Sequence, residues 1–214
     1  MTFSALRLSG YYKLTRLVGG GTRKRRMDAF MTRMGVTPDT RIVDLGGNPG
    51  IWSCLDQPLD ITILNLPGMT EPHSPTHHRM RFVEGDACDV PQFQPGQFDI
   101  VFSNSVSEHV GPERKQEAFA ATVKRLAARY WIQTPAIWFP LEAHTGVPFW
   151  WFYPEAVRKA ILRRWHDKLP AWSESMADTR VLRRERMEQL FPGAEIYVES
   201  LAGVPKSYAA YSTA

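Results

Sequence analysis

From Arg41 onward, apolar runs of five or six residues alternate with amphipathic or loop-like stretches, and this alternation predicts the fold. RIVDL (41–45), ITILNL (61–66), MRFVE (80–84), FDIVFS (98–103) and RYWIQT (129–134) are short and rich in β-branched and aromatic residues. Runs of this kind read as strands, and RIVDL as a short buried one. A brief helix is expected around Ile51–Leu55. A longer amphipathic one is expected over 112–127, with Phe119, Val123 and Leu126 on its apolar face. Strands alternating with helical or loop connections indicate an α/β protein built on a doubly wound, mostly parallel sheet. Further helical segments are expected at about 154–165 and 179–190. AEIYVESL (194–201), a turn at Gly203–Val204–Pro205 and KSYAAYS (206–212) form an antiparallel C-terminal hairpin.

The start of the chain has a different character. Phe3, Leu6, Leu14, Leu17 and Val18 fall at roughly helical spacing, and Gly19–Gly21 then interrupt it. Thr22 is placed to cap a second helix with Met27, Phe30, Met31 and Met34 on its apolar face, ended by Gly35. Residues 1–37 are thus a basic helical leader or lid within the same domain as residues 38–214. The formal charge of +4 resides in this leader: residues 1–26 carry +7 and no acidic side chain, and residues 27–214 balance at −3. A basic face tracking nucleic acid is therefore not expected of the domain body. Peripheral contact with an anionic membrane through Arg23–Arg26 is. The leader lacks the continuous apolar stretch of a signal peptide, and no window approaches a bilayer span, so a cytoplasmic location is expected. Cys54 and Cys88 form neither a disulfide framework nor a zinc pattern, and His73, His77 and His78 lack the carboxylate or cysteine spacing of a metal site. No bound metal is expected.

The strongest local signal is Asp44-Leu45-Gly46-Gly47-Asn48-Pro49-Gly50, an acid closing a strand and a turn with few side chains. Such a turn lets backbone N–H groups face a ligand at the sheet's carboxyl edge. The dinucleotide pattern G-x-G-x-x-G fails twice, at Asn48 and Ile51, and no Gly-Lys-Ser/Thr follows for a P-loop.

RIVDLGGNPG resembles the first motif of the class I S-adenosylmethionine-dependent methyltransferases, and the resemblance extends from about Arg41 to the C-terminus. It implies a Rossmann-like sheet of seven strands, completed by the terminal hairpin. It implies that Asp44, Gly46, Gly47, Asn48 and Gly50 surround the methionine and ribose of the cofactor. Asn65 stands where the family usually carries an acid for the ribose hydroxyls. Gly85-Asp86-Ala87 resembles the adenine-binding turn, with Asp86 and the backbone beside Ala87 as its contacts. Asn104 and Ser105 lie in a run, FDIVFSNSVSEHV, similar to the fourth motif. The cofactor implied is S-adenosyl-L-methionine, with S-adenosyl-L-homocysteine as product.

On the acceptor side, Gln133-Thr134-Pro135 leads into WFPLEAH (138–144). Glu142 and His144 are two apart, so on extended chain they point the same way. His144 is the candidate base, Glu142 its orienting partner, and His109 a further group able to reach the pocket. The aromatics from Trp138 to Tyr153 are candidates for the walls of an apolar acceptor pocket. The expected activity is methyl transfer to O or N of a small, partly apolar or lipid-like acceptor, itself apolar or anionic. The alternatives are a macromolecular (RNA or protein) target and a module that binds the cofactor without catalysis. Against RNA stands Asn104-Ser105-Val106-Ser107 in place of an Asn/Asp-Pro-Pro-Tyr/Phe run.

Overall fold

A computed structural model describes residues 21–70, 76–142 and 145–214. The expected leader helix over 2–18, His73 and His144 lie outside them. Seven strands form one sheet in the order β3-β2-β1-β4-β5-β7-β6. They are β1 (Arg41–Leu45), β2 (Asp60–Asn65), β3 (Arg79–Glu84), β4 (Ile100–Asn104), β5 (Arg129–Pro135), β6 (Glu195–Leu201) and β7 (Val204–Ser212). The first five pair in parallel, while β7 runs antiparallel to both β5 and β6.

Period-two alternation sends successive side chains to opposite faces, and the strands use both. Val43, Val101, Tyr130 and Ile132 enter the layer packed by α2 (Glu113–Leu126) and α5 (Arg184–Leu190), through Phe119, Val123, Met187 and Leu190. Ile42, Ile100, Phe102 and Trp131 enter the opposite layer, against Met27, Phe30 and Met34 of helix α1 (residues 21–34). Those three α1 residues are essentially unexposed, and each contributes on the order of 1.5–3 kcal/mol by leaving water. The helix is thus part of the core. Thr22 lies within it and not at its cap.

Other boundaries differ from the sequence reading for identifiable reasons. The segment after the glycine turn is a 3-10 helix, Pro49–Cys54, because Asn48 accepts from Gly50 N–H and Pro49 opens a tight first turn. Helix α5 begins at Arg184 instead of 179, since Arg180 N–H is drawn to the Glu108 carbonyl at 2.6 Å. Two helices, α3 (Glu155–His166) and α4 (Pro170–Asp178), pair with each other in the excursion between β5 and α5. The hairpin turns at Ala202–Gly203, both at positive φ (50° and 80°), which leaves Val204 and Pro205 in β7.

Candidate functional site

The strand order reverses between β1 and β4: the chain leaves β1 toward β2 on one side and returns through β4 on the other. A crevice opens at the carboxyl ends of the strands at such a switch point. A pocket of about 200 Å³ lies there, lined by Asp44, Gly46, Gly47, Asn48 and Ile51 from the β1 end, Asn104 from β4, and Arg23 and Arg26 from α1.

Asp44 is fully buried, and burial raises its carboxyl pKa to about 7 even though Trp52 Nε1–H donates to its Oδ2 at 2.8 Å. Its Oδ1 has no hydrogen-bond partner, nor has Oδ1 of Asn104. Arg26 is also buried. Its Nη1 donates to Glu199 of β6 at 2.8 Å, and its Nε is unpartnered. Two acceptors and one donor without partners thus belong to residues that line one small pocket. Leaving such groups unpaired costs about 1–3 kcal/mol each.

The glycines of the turn also meet a packing requirement. A Cβ at Gly46, whose φ is +73°, would meet the Val106 methyls at 2.6–2.7 Å, and one at Gly47 would meet the Asp44 carboxylate at 2.2 Å. On the side where a Cβ would stand, the protein itself fills the space, while the backbone of both glycines lines the pocket. At Gly50 the nearest atom to an added Cβ is Asn48 Oδ1, at 3.1 Å.

The remaining candidate cofactor residues are largely spent on internal bonds. Asn65 turns its amide inward, donating from Nδ2 to the Gly47 carbonyl at 2.9 Å, so it braces the turn. Asp86 accepts from Cys88 N–H at 2.8 Å and from Lys115 Nζ at 2.9 Å, an aspartate turn locked by an ion pair. Those contacts hold its carboxyl below the usual range against the opposing effect of burial. Ala87 is buried in the core beneath it. Ser105 adopts φ 57° immediately after β4 and donates from Oγ to Gln133 Oε1 at 2.9 Å, a strained non-glycine residue at the mouth of the crevice.

On the acceptor side, Glu142 is buried and accepts from Thr145 N–H at 2.5 Å, which anchors the loop. His144, its expected partner, is outside the described residues. His109 is exposed and meets Thr179 Oγ1 at 3.3 Å; helix α2 starts four residues later behind Pro112, so His109 does not initiate it. Of the aromatics, Trp150 is buried, whereas Trp138, Phe149 and Phe152 face solvent. A larger groove, of about 840 Å³, runs past Pro112, Trp151, Arg158, Arg180 and Arg186, with one aromatic wall only. The described residues hold no cluster of three or more metal-ligating side chains.

Sequence reasoning missed two residues of this site, Trp52 and Arg26, and the buried Glu108 that meets Thr134 of β5. Trp52 and Glu108 had signals in their spacing from Asp44 and in the Ser-Glu-His-Val run. Glu108 is fully buried and accepts from Thr134 Oγ1 at 3.3 Å. Arg26 had none, since its partner is 173 residues away. It is a fixed interior cation and not part of a solvated basic arm.

A methyltransferase-domain family profile matches residues 61–129, about a third of the chain, beginning beyond the glycine turn. No curated protein matches in sequence. Among solved structures, magnesium protoporphyrin IX methyltransferase from Synechocystis PCC 6803 with bound SAH superposes with TM-score 0.52 at 12% identity, over 91% of this chain and 84% of that one. A mycolic acid cyclopropane synthase complexed with SAH and CTAB gives 0.53 at 17%, over 82% of this chain and 61% of its own. Haemonchus contortus phosphoethanolamine N-methyltransferase 2 in complex with S-adenosyl-L-methionine gives 0.52 at 15%, over 81% of this chain but 38% of that protein. The chain thus has the fold of the class I methyltransferases and, over residues 61–129, the sequence signature of a methyltransferase domain.

Proposed function

We propose that this protein is an S-adenosylmethionine-dependent methyltransferase acting on O or N of a small, partly apolar or lipid-like acceptor. The observation that carries the reading is that three residues lining the pocket at the β1–β4 switch point, Asp44, Asn104 and Arg26, each hold a buried polar atom without a partner. The amino-acid end of the cofactor offers an ammonium to the two acceptors and a carboxylate to Arg26 and Arg23. A pocket of about 200 Å³ is below the 300–1,000 Å³ usual for whole ligands, so it holds that end while the nucleoside extends along the turn past Gly47 and Asn65.

Held by Asp44, Asn104 and Arg26, the cofactor would supply a sulfonium methyl for transfer to the acceptor's lone pair, with the bond electrons left on sulfur and any acceptor proton released. For their part, the protein's groups align and dehydrate the reactants. Ser105, Gln133 and the buried Glu108 fix the rim of the crevice beside the acceptor. His144 remains the proposed base, with Glu142 holding the loop that carries it. His144→Ala is expected to leave cofactor binding intact and lower turnover; unchanged turnover removes the assignment.

Calorimetric titration of the full chain tests the cofactor reading. S-adenosylhomocysteine is expected to bind, and 5′-methylthioadenosine, which lacks the amino-acid end, to bind far more weakly. Equal binding of the two, or of neither, defeats it. Incubation with labelled S-adenosylmethionine and a cell extract, followed by mass spectrometry of the labelled product, identifies the acceptor. A second reading, a module that holds the cofactor without transfer, draws support from Asn65 and Asp86, both committed to internal bonds. Binding without label transfer to any extract component would favour it.

A further inference from the structure

Nine large apolar side chains are prominently exposed among the described residues, and five of them fall between positions 138 and 169: Trp138, Phe149, Phe152, Val157 and Leu169. The aromatic three lie close together, since Phe152 N–H donates to the Phe149 carbonyl and Phe152 packs on Trp138. The Trp138 and Phe152 rings lie 4.9 Å apart, and Trp138 is still 58% exposed. Three residues after Phe152 the chain enters α3, a helix with no buried residue. Its half-buried stripe is Arg158, Ile161, Leu162 and Trp165, at helical spacing, and its outer face carries Val157, Ala160, Arg163 and Arg164. Residues 155–168 contain five basic and two acidic side chains, and one of those acids, Glu155, is tied to Lys159 at 2.6 Å.

We propose that this face, the Trp138–Phe149–Phe152 platform with the outer side of α3, docks on an anionic lipid surface. Aromatic side chains beside a basic, half-amphipathic helix match the boundary between headgroups and acyl chains, where rings enter the interface and cations meet phosphate. Charge decides among occupants. Residues 1–20 carry Arg7, Lys13 and Arg16 and no acid, and a second copy would present the same basic helix, so both meet α3 with like charge. An acidic protein is the remaining occupant, and absence of flotation with purified lipid points to it. The inference stands apart from the cofactor reading.

Flotation of the full chain with vesicles tests it, using phosphatidylcholine alone and a 7:3 mixture of phosphatidylcholine and phosphatidylglycerol. The protein is expected to float with the mixture at low salt and remain in solution with phosphatidylcholine alone. Each basic residue near an anionic surface is worth about fivefold in partitioning, so Arg163→Gln with Arg164→Gln should lower it roughly thirtyfold. Trp138→Ser with Phe152→Ser should lower it with the charge unaltered. All four positions are exposed, and unchanged thermal unfolding confirms intact protein. Arg16→Gln with Arg25→Gln should bind as the parent does. Absence of flotation, equal flotation with both vesicle types, or sensitivity to Arg16/Arg25 but not to Arg163/Arg164 overturns the proposal.

Discussion

At Asp44, burial and the proposed contact with a cofactor ammonium pull in opposite directions. The folded carboxyl titrates near pH 7 because it is desolvated, whereas an unfolded aspartate titrates near 4. Between those values the folded state retains a proton that the unfolded state has released. This group's stabilising contribution is therefore fully present below about pH 4 and lost as pH rises through about 7. An ammonium ligand needs the ionised form, so affinity for S-adenosylhomocysteine should strengthen about tenfold or more between pH 5.5 and 7. Asp44→Asn should weaken binding and flatten that slope; a slope that survives the substitution assigns it elsewhere. Gly46 illustrates a different dependence. Gly46→Ala meets the Val106 methyls and sets a non-glycine residue at φ +73°; the expected destabilisation is about 1–3 kcal/mol by denaturant titration. Adding Val106→Ala should restore the steric part and leave the backbone part. The sequence marked both residues as members of a turn, but periodicity carries no information about what fills the space beside a glycine.

At the scale of elements, α1 is fastened to the C-terminal hairpin by buried charge. Glu199 Oε2 accepts from Arg26 at 2.8 Å and from Ser207 Oγ at 2.6 Å, and Lys206 Nζ donates to Thr22 Oγ1 in the same contact. Glu199→Ala strands the Arg26 guanidinium and is expected to cost about 3–5 kcal/mol of stability, measured by urea unfolding. A cost near that of a surface ion pair would mean that α1 is held by its apolar face alone. The hairpin itself can be improved. Ala202 sits at φ 50° before Gly203, the place where Asn-Gly is favoured. Ala202→Asn should stabilise by about 0.5–1 kcal/mol, which a calorimetric Tm rise of roughly 1–4 °C would report. The strands were legible to within a residue or two because their apolar runs are local. Helix α4 and the true start of α5 were not, because contacts such as the Arg180–Glu108 bond, made across the fold, define them.

For the molecule as a whole, the switch point between β1 and β4 joins residues that are far apart in sequence: Arg26, Asp44 and Asn104 from three elements, with Glu199 behind them. The amino-acid pattern by itself determined the α/β class, the run of seven strands, the acid-and-glycine turn at the end of β1 and the resemblance to a methyltransferase. Each of these is written in local periodicity or in a short contiguous motif, which backbone sterics and burial translate directly into structure. Only the tertiary structure decided which polar atoms were left without partners. It turned Asn65 and Asp86 inward, made Arg26 an interior cation, and left the Trp138–Phe152 platform open to solvent. Those outcomes depend on which side chains meet across the sheet and how much water remains between them, and neither quantity has a period along the chain.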